Sequence, residues 1–203
     1  MLSADEGLAA ALSRLETILD RSGAAIVPLF HPGIGQPEVL AAFDGIGLTP
    51  SAEVLTWFGW HNGAGGQGMP TTLIELVPGG EFYGAHDLCR EYVQARSVPL
   101  EVASNSADLP SKTGFHATAD DIWRVSWFPL LRLFGKGYLA VDLGAGEETS
   151  PVHIIWHDTD PYFDEWPTVR ACVETVIYRF EEGIYAVNGD GHVEGPTIDH
   201  MSE

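Results

Sequence analysis

The segment from Trp127 to Asp158, WFPLLRLFGKGYLAVDLGAGEETSPVHIIWHD, restricts the possible folds more than any other part of the chain. It contains three apolar runs divided by two turns. Gly135-Lys136-Gly137 is the first turn, and the loop from Gly144 to Pro151 is the second. Tyr138–Leu143 is apolar except at Asp142, and Val152–Trp156 is rich in β-branched and aromatic residues. Runs of this length, bounded by Gly and Pro, read as strands. The segment therefore predicts a three-stranded meander at the centre of one sheet. It specifies a core and no chemistry.

Helical patterns surround the meander. Leu8, Leu12, Leu15 and Leu19 recur at steps of four, three and four, after a possible Ser3/Glu6 capping box and before Gly23. A second helix is expected to open at Pro37 with Val39, Leu40 and Phe43, and to stop at Gly45 or Gly47. A third is expected from a Thr49 cap with Pro50 in its first turn, to end at Asn62-Gly63 in a left-handed cap. Trp57 and Trp60 then share one side of it and read as core or groove-lining residues. Ala24–Phe30 and Thr71–Val77 read as strands, and Leu88, Tyr92 and Ala95 mark a further helix. Residues 97–121 are polar and rich in turn formers, so a long loop or insertion is expected there. Ile122–Phe128 returns to strand character, with Trp123, Val125 and Trp127 alternating onto one face. Pro167 is expected to open a last helix on Val169, Val173, Val176 and Phe180. Ile184–Val187, the hairpin signal Asn188-Gly189 and a short returning strand with a frayed tail over 192–203 complete the chain.

The order of these motifs resembles the SUKH superfamily, which contains fungal cell-wall-assembly regulators and many bacterial immunity proteins. Leu48-Thr49-Pro50 through Trp60-His61-Asn62-Gly63 is similar to its early helix. Trp127-Phe128-Pro129, Gly-Lys-Gly-Tyr-Leu-Ala-Val-Asp-Leu and Val-His-Ile-Ile-Trp-His-Asp are similar to its central strands, and Gly183-Ile184-Tyr185 follows a helix that fits its last one. The likeness spans roughly residues 38–190. It implies a single α+β domain over 1–203, a twisted and largely antiparallel sheet packed with helices. Residues 1–37 would form an N-terminal helical extension, and 97–121 departs from the family pattern.

Charge is the sharpest compositional constraint. The 203 residues hold 29 Asp and Glu against 10 Lys and Arg, a formal net charge of −19. Residues 101–203 alone carry 18 acids and 6 bases, or −12. Such a field repels nucleic acid and anionic lipid and attracts basic proteins; it also confers solubility without any partner. No apolar run reaches 18 residues, and the N-terminus lacks the basic and apolar regions of a signal peptide. A cytoplasmic location is expected, with Cys89 and Cys172 reduced and buried.

Motifs that would carry chemistry are sparse. Ala64–Met69 is glycine-rich, but it follows a helix and lacks the GK[ST] of a phosphate loop. His153 and His157 with Asp158 and Asp160 resemble a ligand set, and a metal-dependent enzyme is the outlying alternative. On a strand the two histidines would stand roughly 13 Å apart at ~3.3 Å per residue, too far to share one ion. No nucleophile motif surrounds either cysteine or any serine, and no catalytic residue, cofactor or metal is expected. An acidic, aromatic surface remains. Asp158, Asp160, Asp164 and Glu165 alternate with Tyr162 and Trp166, and Glu147 and Glu148 precede the Val152–Trp156 strand. These eight are the candidate partner-binding residues. With the resemblance, they favour an immunity-type module that binds a basic toxin domain such as a nuclease. A regulatory or scaffold protein of the same fold is the alternative within this class.

Overall fold

The computed structural model describes residues 4–65, 71–106, 123–134, 137–145, 149–156 and 164–198. Among them are five α-helices: α1 (Ala4–Arg21), α2 (Gln36–Asp44), α3 (Ala52–Trp60), α4 (Ala85–Ser106) and α5 (Val169–Glu181). The main sheet holds six strands in the order β3 (Glu75–Val77), β4 (Gly80–Glu81), β5 (Trp127–Leu133), β6 (Gly137–Asp142), β7 (Val152–Trp156) and β8 (Asp164–Trp166). Every neighbouring pair in it is antiparallel. Two small ribbons stand apart: β1 (Phe30–Pro32) with β2 (His61–Ala64), and β9 (Ala186–Val187) with β10 (Val193–Glu194). The protein is thus mixed α+β, with an antiparallel sheet packed against helices.

Register assigns each sheet residue to a face, because cross-strand partners point the same way. Leu131, Leu139 and Ile154 are aligned across β5, β6 and β7. They are all buried, and the core they join also takes in Leu8, Leu12, Leu15 and Leu19 from α1 and Val173 and Val176 from α5. Helix α1 packs on both α3 and α5. Phe43 of α2 and Phe58 of α3 meet Phe128 of β5, with ring centroids 4.4 and 6.3 Å away. A gap of about 20 Å³ left within this core is lined by apolar side chains such as Leu15, Trp57, Leu130 and Ile198. It is no larger than one water and offers that water no polar partner.

The opposite face carries Arg132 opposite Tyr138, and Tyr138 opposite Ile155. Both edge strands are only three residues long, and each pairs with its neighbour through a register shift. Short, irregular edges resist the addition of a further strand.

Several boundaries differ from the expectations. The cap of α3 is Ser51, whose Oγ accepts the Val54 N–H at 3.3 Å, and not Thr49. The helix ends at Trp60, and Gly63 lies inside β2 instead of capping it. Helix α4 continues through Ser106, so the expected loop over 97–121 is helical in its first part. Strand β5 begins at Trp127, and Val125 is exposed while Trp123 and Trp127 are buried, so the expected alternation fails. The chain before Phe30 is a 3-10 turn over Val27–Leu29, and Thr71–Ile74 is another. Thr168, rather than Pro167, caps α5. The tail is anchored as far as Ile198, which is buried; residues 199–203 lie outside the described residues.

Candidate functional site

The acidic surface expected around β7 and β8 is only partly within the described residues. Glu147, Glu148, Asp158, Asp160 and Tyr162 lie outside them. Asp164 and Glu165 stand on β8, the terminal strand of the sheet, with Asp164 opposite His153. Trp166 turns inward. It lies opposite Val152, is 6% exposed, and its Nε1 donates to Thr175 Oγ1 on α5 at 3.0 Å. A ring packed this way is part of the core and is not offered to a partner. A buried indole is satisfied only when its N–H finds an acceptor, and Thr175 supplies one.

His153 is buried on β7 opposite Ala140, with its ring 5.6 Å from that of Trp127. His157 lies outside the described residues. Among the described residues, no group of three or more His, Cys, Asp and Glu side chains is placed to hold a metal ion. Cys89 and Cys172 are both buried, and burial pushes the Cys89 thiol up to about 11. A thiol so placed stays protonated at neutral pH and is a poor nucleophile.

A carboxylate that sequence reasoning overlooked organises the base of α5. Glu53 on α3 is 1% exposed. Its Oε2 accepts the N–H groups of Ser150 at 2.9 Å and Val169 at 3.2 Å, and its Oε1 accepts that of Arg170 at 3.1 Å. Beside it, Ser150 Oγ donates to Ser51 Oγ at 2.8 Å. Thr168 Oγ1 takes the Ala171 N–H at 2.9 Å. A surface depression of about 310 Å³ opens here, lined by Glu53, Thr149, Thr168, Arg170, Ala171 and Glu174. The free N–H groups of a helix start would attract an anion, but here Glu53 and Thr168 already occupy them. The node serves to join α3, α5 and the loop before β7.

Among the described residues, a cluster of titratable side chains crosses the outer end of the sheet. Glu75 on β3 is paired directly with Glu81 on β4, and Glu81 with Arg132 on β5. Both carboxylates are buried. Glu75 Oε2 accepts the Gly79 N–H at 3.0 Å. Glu81 Oε2 accepts the Tyr83 hydroxyl at 2.7 Å and lies 3.8 Å from Arg132 Nη1. Tyr138 donates to Glu91 Oε2 of α4 at 2.9 Å. Burial raises the Glu75 carboxyl above its ordinary range; Glu81 adds to the rise, while the Gly79 bond and His192 oppose it. Burial and the bond to Glu81 push Tyr83 up to about 12, and burial with the Glu91 bond raises Tyr138.

An aromatic corner forms where the β1–β2 ribbon meets α1 and α3. Phe30 stacks on His61 with centroids 4.2 Å apart and planes 13° apart. Trp60 Nε1 donates to Glu16 Oε2 at 2.9 Å, and His61 Nε2 lies 3.2 Å from the same oxygen. Trp57 is buried beside Trp60 and Phe82, so the two tryptophans are a core residue and its half-buried neighbour. Asn62 Oδ1 accepts the Ala85 N–H at 2.8 Å and so caps α4 from another element.

The fold defines the chain as a mixed α+β protein on an antiparallel sheet. No family model matches its sequence, and no curated protein matches it either. No helix among the described residues is long and apolar enough to cross a membrane.

Proposed function

We propose that this chain is a non-catalytic, cytoplasmic protein-binding module of SUKH type, an immunity protein that neutralises a basic toxin domain by direct contact. The charge excess carries the reading: 29 acids face 10 bases across 203 residues. Among the described residues, Arg14, Arg90 and Arg170 are paired with Glu181, Asp87 and Glu174, so these three cations are offset by acids at the surface. Opposite charge accelerates encounter with a basic partner and selects against nucleic acid and acidic proteins. Asp164 and Glu165, on the terminal strand, are the described members of the contact surface, with Asp158 and Asp160 before them. Both sheet edges are short and irregular, so a partner is met through side chains and not through an added strand.

The test is co-purification with the product of the adjacent gene, followed by association kinetics at two salt concentrations. Replacing Asp158, Asp160, Asp164 and Glu165 together by Asn and Gln is expected to slow association and flatten its salt dependence, with dissociation little changed. A tight partner whose on-rate ignores both salt and these four carboxylates sinks the electrostatic account. A genomic neighbour that encodes no toxin, with a stable complex formed elsewhere, favours the regulatory or scaffold role.

A further inference from the structure

We propose that the β3–β4 hairpin is a proton-operated latch at the edge of the sheet, closed when Glu75 is neutral and loosened when it is charged. The inference is independent of any partner. Its basis is the direct cross-strand pairing of Glu75 with Glu81, both buried, at the end of the sheet where the ladder is weakest. Like charges placed directly opposite each other destabilise a strand pair, and burial magnifies the cost.

The groups facing Glu75 are few. The turn supplies the Gly79 N–H at 3.0 Å. Strand β4 supplies Glu81, and the segment before β10 supplies His192, whose field favours ionisation. Arg132 and Tyr83 both bear on Glu81: Arg132 Nη1 is 3.8 Å away, and the Tyr83 hydroxyl donates at 2.7 Å. Both contacts fall on the Glu81 side chain. On Glu75, burial wins over the Gly79 and His192 contributions and raises its carboxyl.

Loss of the Glu75 proton puts a negative charge into a buried cross-strand pair of acidic side chains. The relief available is for Glu75 to swing toward water, which breaks its bond to Gly79 and frees the turn. The bonds next in line are Phe82 N–H to Ile74 O at 2.9 Å and Phe134 N–H to Gly79 O at 3.0 Å. Strand β10, which lies against β3, loses part of its support. The sign is opposite to that of an ordinary paired carboxylate. A raised folded-state value means that the stabilisation is complete below the unfolded value of 4.5 and is lost as pH rises through the folded value.

The experiment is a carbon-13 titration of the Glu75 side-chain carboxyl, with hydrogen exchange of the Phe82 and Phe134 amides corrected for the intrinsic pH dependence. Glu75 is expected to titrate above 4.5, with the protection of both amides falling through the same midpoint. Glu75→Gln, which keeps the acceptor for Gly79, should remove that step. Glu81→Gln should lower the Glu75 midpoint. A midpoint at or below 4.5, protection that stays level across the midpoint, or an unchanged step in Glu75→Gln each overturns the proposal. Should Glu75→Gln fail to fold, the wild-type titration and Glu81→Gln decide the matter.

Discussion

Glu53 Oε2 on α3 accepts the backbone N–H of Val169, the first residue of α5, at 3.2 Å, across 116 positions of sequence. This distant side chain thus adds to the local Thr168 cap of α5 by taking two further N–H groups of its first turn. Glu53→Ala leaves the N–H groups of Ser150, Val169 and Arg170 without this acceptor. Breaking a buried, charged hydrogen-bond node is expected to cost about 3–5 kcal/mol. Urea unfolding checks this, and Glu53→Gln should recover part of the loss because an amide oxygen still accepts.

Gly63 and Gly47 both have positive φ, at +83° and +70°. Nothing stands within 4 Å of where a Gly47 side chain would begin, whereas at Gly63 a Cβ would lie 2.4 Å from Gly84 N and 2.7 Å from Tyr83 C. Gly47→Ala is expected to cost about 1 kcal/mol, from backbone strain alone. Gly63→Ala should cost more, since β2 and the start of α4 must separate to admit the methyl group. Equal shifts in melting temperature for the two variants would show that the approach of the two backbones is unimportant.

Trp166→Ala is expected to act on folding. The ring is buried and its N–H is bonded to Thr175, so truncation should destabilise by about 3–5 kcal/mol. A variant that keeps its melting temperature but loses a partner would place the ring on the surface after all.

Tyr83 gives an alkaline signature. Its folded-state value is pushed up to about 12, first by burial and then by its bond to Glu81. The neutral phenol is the favoured form, so its contribution is intact below the ordinary value of 10.0 and disappears as pH rises through about 12. Burial raises Tyr92 and Tyr138 as well, so ultraviolet difference titration should show several late tyrosine components, one fewer in Tyr83→Phe. Titration of every tyrosine near 10 would refute the buried contact.

The meander was legible because its signals are local. Gly and Pro bound the runs, and β-branched residues fill them, so β6 and β7 lie within a residue of where the pattern puts them. The Asn188-Gly189 turn was legible for the same reason, and Asn188 Oδ1 does take the N–H groups of Asp190 and His192. Strands β1, β2 and β4 were not, because two to four residues carry no period. The role of Glu53 left no trace in the sequence, since its partners lie 97 to 117 positions away. Glu75 did leave one: an acid inside the apolar run Thr71–Val77 must either face water or find company. The acid excess was visible as composition, but composition does not say which aromatics turn inward, and Trp166 does.

The packing of α1 against α5 bears on biosynthesis. The first helix presents Leu8, Leu12, Leu15 and Leu19 to a face completed by the last helix, and Glu53 waits for backbone groups beyond residue 168. In a chain made N-terminus first, the α3 side of α1 can be covered early, but the α5 side stays open until α5 has been made. Completion of this core therefore waits until Val169–Glu181 has been made, whatever the order in which the other elements form.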